Sequence, residues 1–174
     1  MIGAFALNLG GRLQAAVDEA CGVPGAPSGA LIALHEFADG SSIAMLARVL
    51  GVSHSRAVRV VDQLEAKGWA RRALSPRDAR ASSVRLTAAG GRVAARALRA
   101  RDAVIAEFLA PLSREELRTL DAITGSALGE QARSLDAARR ICRLCDAAAC
   151  GHPEGRCPVT EARRARARLA GEAE

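Results

Sequence analysis

Between Gly51 and Leu86 the chain switches from a helical hydrophobic repeat to an alternating one, and the switch is interrupted by a proline-containing turn. Few folds accommodate that order. Ala57, Val60, Val61 and Leu64 fall at i, i+3, i+4 and i+7, which makes one apolar stripe on an amphipathic helix. A serine oxygen can accept the free N–H groups of a first helical turn, and glycine suits the residue past a helix end. Ser53 and Gly68 therefore bracket a helix predicted over residues 54–67. Trp69 to Ala73 then suits a strand, while Val84 and Leu86 flank Arg85 in the alternation of a second. Ser75-Pro76-Arg77-Asp78-Ala79-Arg80 lies between them and reads as a hairpin tip bearing two arginines.

Helix, strand, basic hairpin and strand is the layout of a winged helix-turn-helix, and it points to double-stranded DNA. The polar face of the helix presents His54, Ser55, Arg56, Arg59 and Gln63, with Ser53 and Val58 beside them. Such side chains donate and accept at base edges in a major groove, and arginine bonds guanine through two parallel hydrogen bonds. Guanidinium groups on a narrow protrusion, here Arg77 and Arg80, suit a minor groove where the negative potential is enhanced. A solvated helix is also polar, so the face alone does not decide. Charge distribution adds to it. Residues 1–50 carry two basic and four acidic side chains, residues 51–101 twelve and three, and residues 102–174 eleven and twelve. The net charges are −2, +9 and −1, so the whole formal +6 arises around the proposed reading head. A compositional bias toward arginine explains 24 of the 25 basic residues being Arg, but not their clustering.

The run from Ser42 to Gly90 resembles the MarR family of transcriptional regulators. The resemblance is carried by Ile43-Ala44-Met45-Leu46-Ala47 before the turn, by Val61-Asp62-Gln63-Leu64-Glu65-Ala66-Lys67-Gly68-Trp69 after it, and by Asp78-Ala79-Arg80 ahead of Val84-Arg85-Leu86-Thr87. It is looser over residues 1–41 and 88–141. The resemblance implies a homodimer whose terminal helices form the interface, with two winged heads spaced for a palindromic operator. It also implies that residues 54–59 read bases, that Asp78 and Arg80 belong to the wing, and that a small-molecule effector binds between dimer helices and head. Val58 departs from the pattern, since a small hydroxyl residue is common there; valine can still meet a thymine methyl. Some regulators of this kind sense peroxides through a cysteine of the first helix assisted by tyrosines. The chain has a cysteine there, Cys21, but no tyrosine, so that role does not carry over, and Cys21 reads as buried and inert.

The expected fold is mainly α with a small β-hairpin wing: a winged helix-turn-helix head with long dimerisation helices. Residues 1–26 form an N-terminal dimerisation helix, residues 27–87 the DNA-binding domain and residues 88–141 the C-terminal dimerisation helices. Residues 142–158 are a Cys-rich metal-binding segment, and residues 159–174 a basic tail. Phe5, Leu9, Leu13, Ala16 and Val17 stripe the first helix. Thr87 and Ser113 are caps for two longer helices, over 88–110 and 114–142, separated at Pro111. Leu117, Leu120, Ile123, Leu128, Leu135 and Ile141 need a partner surface, either this chain's first helix or a second subunit.

Four of the five cysteines crowd one stretch, Cys142, Cys145, Cys150 and Cys157, spaced C-x2-C-x4-C-x6-C. Two thiolates on one tight turn can share an ion that ligands from a second turn enclose. Gly151, Pro153, Gly155 and Pro158 make the segment turn-rich. Zinc is the favoured metal. An iron–sulfur cluster suits the proline after Cys157, and a metal-free thiol switch is the third reading. His152 is an alternative ligand to Cys150.

The composition excludes other classes. No run of some 18 or more apolar residues exists, so no membrane partner is expected, and no leader-like opening is present, which places the protein in the cytoplasm. With three Phe, one Trp and no Tyr, an aromatic platform for single strands is lacking. No nucleophile elbow, P-loop, dinucleotide fingerprint or H-E-x-x-H helix occurs, so the chain is not read as an enzyme. The competing function is a protein-interaction module built on a zinc-bearing Cys loop.

Overall fold

The computed structural model describes residues 1–74 and 82–171. They fall into two compact units, residues 1–110 and 111–174, each with its own packing.

In the first unit, α1 (Ile2–Cys21) lies along α5 (Ala88–Leu109). Val17 and Cys21 are buried, Phe5 meets Phe108 edge-on at 5.2 Å between ring centroids, and Arg96 Nε donates to the Ala20 carbonyl at 2.8 Å. Gly22 ends α1 in the left-handed conformation. Asp18 then closes the turn into α2 (Ala26–Ala33): its carboxylate accepts from the Gly25 amide at 2.9 Å, from Gln14 Nε2 at 2.8 Å and from the buried Ser28 hydroxyl. Pro27 to Ala33 are all buried. A helix apolar on every side belongs in a core, and α2 is the centre of this one. The chain continues through a π-helical turn, Leu34–Ala38, which sequence periodicity does not reveal.

Two short helices follow, α3 (Ile43–Leu50) and α4 (His54–Ala66). Ser42 caps α3 by accepting from the Met45 amide at 3.2 Å, and Ser53 caps α4 by accepting from the Arg56 amide at 3.3 Å. Leu46, Val49, Val61 and Leu64 are fully buried, so the predicted stripe faces inward as the spacing requires. The hairpin pairs β1 (Ala70–Leu74) with β2 (Ser82–Leu86) antiparallel, Ala70 opposite Leu86 and Leu74 opposite Ser82. Ser41 adds an isolated bridge to Val84, its carbonyl accepting from the Val84 amide at 2.8 Å. Thr87 caps α5, as its sequence position suggests. These elements compose a mainly helical winged helix-turn-helix with a two-stranded hairpin.

The second unit begins at a capping box, in which Ser113 accepts from the Glu116 amide while Glu116 accepts from the Ser113 amide at 2.8 Å. The single helix expected over 114–142 is instead two, α6 (Arg114–Gln131) and α7 (Leu135–Ile141). Ala132 leaves helical geometry at ψ 52°, and Ser134 caps a new first turn by accepting from the Ala137 amide at 3.1 Å. The break buries Ala132 in a small core with Ala138, Cys157 and Val159. The basic stretch near the C-terminus is also helical, α8 (Pro158–Ala170). It packs on α6, where a Cβ on Gly125 or Gly129 would stand 3.2 Å from Pro158 or Ala162. Arg166 donates to the Gly129 carbonyl at 2.6 Å and to Glu130 at 2.9 Å, so this arginine is spent inside the unit. No described helix is long and apolar enough to cross a membrane.

Candidate nucleic-acid interface

Burying Ala57, Val60, Val61 and Leu64 leaves the other side of α4 to solvent. Ser53, His54, Ser55, Arg56, Arg59 and Gln63 are all exposed, and Val58 is half-buried on their flank. Ser53 is occupied as the cap and also lies 3.2 Å from the Ser55 hydroxyl, so the first turn of α4 is held while its outward side chains stay available. Arg77, Asp78 and Arg80 of the expected wing lie outside the described residues.

The arginines of the head divide into two sets. Arg72 is a brace: it donates to Asp62 at 2.6 Å and to Glu65, and its own amide donates to Glu65 at 2.7 Å, tying β1 to α4. The hydrogen bond that Arg72 donates to Asp62, with the nearby Glu65 charge, raises the Arg72 pKa. Arg85 reaches Asp39 at 3.4 Å, and Asp39 also accepts from the Leu86 amide at 2.9 Å, which fixes β2 to the turn after the π-helix. The guanidinium groups of Arg56, Arg59 and Arg71 make no ion pair or hydrogen bond with any described side chain, and all three residues are exposed. Guanidinium groups without an internal carboxylate are the ones free to meet phosphate or base. Asp39, Asp62 and Glu65 were not legible as contributors, because their role is to orient the hairpin through residues distant in sequence.

The cysteines meet in the second unit. Cys142, Cys145, Cys150 and Cys157 all line one cavity of about 390 Å³ together with Ile141 and Arg156. The Cys150 thiol donates to the Ala147 carbonyl at 3.4 Å, with the Cys145 and Cys157 thiols as electrostatic neighbours. Burial, then the neighbouring Cys157 and Cys150, pushes Cys142 up to about 11, and burial followed by Cys145 pushes Cys150 up to about 12. Cys157 goes the other way. Burial raises it, but the amides and hydroxyl of the first turn of α8 at Thr160 and Val159 outweigh that, without closing a formal cap bond. The thiols are gathered but not arrayed as ligands: among the described residues no group of three or more His, Cys, Asp or Glu has metal-binding geometry. His152 is exposed, hydrogen-bonded to Thr160 at 2.9 Å, and does not line the cavity.

Cys21 belongs to neither group. It is buried, and burial together with the Asp18 carboxylate, partly offset by Arg96, pushes its thiol up to about 11. The reactive thiolate is therefore scarce near neutrality. Alkylation of Cys21 in the folded protein at about pH 8 should run more than about a hundredfold slower than in the unfolded chain, where cysteine titrates near 8.5. Peptide mapping after timed iodoacetamide treatment measures this, and equal rates would contradict the buried assignment.

Residues 22–81 match the profile of the MarR family. Among solved structures, a MarR family transcriptional regulator from Silicibacter pomeroyi is 27% identical, with a TM-score of 0.58 over 72% of this chain and 86% of that one. CouR from Rhodococcus jostii RHA1, solved bound to p-coumaroyl-CoA, is 26% identical with a TM-score of 0.58 over 72% of this chain and 90% of that one. MarR from E. coli in its apo form shares the fold at 21% identity, with a TM-score of 0.59 over 74% and 97%. No curated protein matches the chain significantly. The fold and these similarities define the class, a winged-helix DNA-binding transcriptional regulator, and over residues 22–81 the chain is similar to the MarR family.

Proposed function

We propose that the chain acts as a homodimer on a palindromic operator, with α4 in the major groove, and that a small ligand, a metal or redox state modulates its binding. The observation that carries this reading is the exposed polar face of α4, where Arg56 and Arg59 have no carboxylate partner among the described residues while Arg72 braces the hairpin beside them. Dimerisation is supported by apolar side chains that the single chain leaves in water: Ile2 at 86% and Leu7 at 80% exposure in α1, and Ile123 at 63% in α6. CouR binds an acyl-CoA thioester; for this chain the effector is proposed only as a small molecule.

Arg59→Ala and Arg72→Ala separate reading from bracing. Arg59→Ala should cost about 1–3 kcal/mol on the preferred site and much less on random duplex, since a lost base contact is sequence-specific. Arg72→Ala should weaken both DNAs together, because it loosens the hairpin. Gel shifts on fragments flanking the protein's own gene, alongside light scattering for a species of twice 18.1 kDa, check both points. A monomer, or no duplex binding by the unaltered chain, would refute the reading, and equal losses on every sequence for Arg59→Ala would make it a phosphate contact.

A further inference from the structure

We propose that Cys142, Cys145, Cys150 and Cys157 bind one Zn(II) ion as a tetrathiolate, and that this ion completes the core of residues 111–174. The first argument is how little else fills that core. Among the described residues its one cluster of buried hydrophobic residues is Ala132, Ala138, Cys157 and Val159, with Ile141, Cys142 and Cys150 packed against them, and Ala167 is buried apart from it. Three of the seven in the cluster are cysteines and two are alanines. Units this short with so few bulky side chains usually need a disulfide, a metal or a partner to stay folded. All the cysteines are free, so disulfides do not supply the constraint.

The second argument is local geometry. Cys142–Leu144 is one 3-10 turn, closed by the Cys145 amide donating to the Cys142 carbonyl at 2.9 Å, so the first two ligands stand on a single tight turn. Gly151 at φ 72° and Gly155 at φ 70° turn the chain back, and the Arg156 amide donates to the Gly151 carbonyl at 2.9 Å, delivering Cys157 at the start of α8. All four side chains then reach the same cavity.

The third argument selects the metal. Zn–S bonds of about 2.3 Å in a tetrahedron place sulfurs roughly 3.8 Å apart. Four thiolates are the donor set of a structural zinc site, and Cys142, Cys145, Cys150 and Cys157 supply that set around one cavity. A cubane cluster holds each cysteine on a different iron and spreads the sulfurs further. Two of the thiols donate to nearby carbonyls, Cys145 to Asp146 at 3.7 Å and Cys150 to Ala147 at 3.4 Å. Ligation exchanges those bonds for the ion, with each ligating thiol losing its proton to solvent, beside Arg156 at the cavity wall, which also pairs with Glu154 at 3.7 Å.

The full-length protein, purified anaerobically, should carry one zinc and no stoichiometric iron by elemental analysis. Chelator competition on Cys145→Ser and Cys150→Ser should show zinc affinity reduced by more than the roughly 10–100-fold that losing a residue merely hydrogen-bonded to a ligand costs. Cys21→Ser should bind like the unaltered chain. Because either ligand variant can fail to fold, Co(II) added to the metal-free unaltered protein gives an independent reading: intense thiolate-to-cobalt absorption with the visible bands of a tetrahedral site. Full zinc affinity in Cys145→Ser, a brown protein with iron and sulfide, or no thiolate–cobalt absorption would each overturn the proposal. None of these readings uses DNA, so this site and the operator-binding function fail separately.

Discussion

Raising monovalent salt from about 50 to about 200 mM should weaken binding to the operator by roughly 10³–10⁵-fold, the loss expected for a protein that neutralises about 6–10 phosphates. The number rests on where charge is placed and on which charges are already spent. Residues 51–101 carry net +9, and a dimer presents that segment twice. Within it Arg72 and Arg85 are committed to Asp62, Glu65 and Asp39, so they release few counterions on binding. Arg56, Arg59 and Arg71 are exposed and carry no such commitment among the described residues. Three such groups per head already give six per dimer, the lower end of the range, before the wing arginines are counted. A plot of log K against log salt measures the slope directly. A slope near zero would remove the electrostatic footprint and with it the DNA-binding reading. Arg71→Ala should flatten the slope by roughly one if a single phosphate contact is lost from each dimer, or two if both heads lose one.

The sequence made this head legible wherever local chemistry acts alone. Ser53, Thr87 and Ser113 cap the helices they were expected to cap, because a serine or threonine oxygen meets the first-turn amides whatever the tertiary context. The stripe of α4 is visible because only one of its faces is buried. Helix α2 was not, for the opposite reason: Pro27 to Ala33 are buried on every side, so no periodicity survives to be read. The break at Ala132 was hidden as well. Alanine is the best helix former, and only the small core of the second unit draws it out of helical geometry. Spacing brought four cysteines to one cavity, yet they are not arrayed there as ligands among the described residues, since side-chain rotations are not encoded in spacing. Asp39 escaped notice because its partners, Arg85 and the Leu86 amide, lie more than forty residues away.

Gly90 and Gly91 show the same limit within a single dipeptide, and they yield a prediction of opposite signs. Both sit in the first turn of α5, where glycine costs about 1 kcal/mol relative to alanine, so the sequence alone marks each as an equally weak point. A Cβ on Gly91 would meet nothing within 4 Å, and Gly91→Ala should therefore stabilise the protein by somewhat under about 1 kcal/mol. A Cβ on Gly90 would stand 2.0 Å from the Trp69 carbonyl oxygen and 3.0 Å from Leu86 Cδ2. That carbonyl cannot easily withdraw: it accepts from the Thr87 amide at 3.0 Å, while the Thr87 hydroxyl donates to the Gly68 carbonyl at 2.7 Å. The start of α5 is thus fastened to the end of α4 and the first strand through the space where a side chain would be. Gly90→Ala has to push that junction apart, at a cost of about 3 kcal/mol or more. In a chain of this length that is a fall in melting temperature of roughly 6–12 °C, against a small rise for Gly91→Ala. Thermal melts of the two variants beside the unaltered protein decide it, and a shift of the same sign and size in both would show that the close approach at Gly90 does not hold the head together.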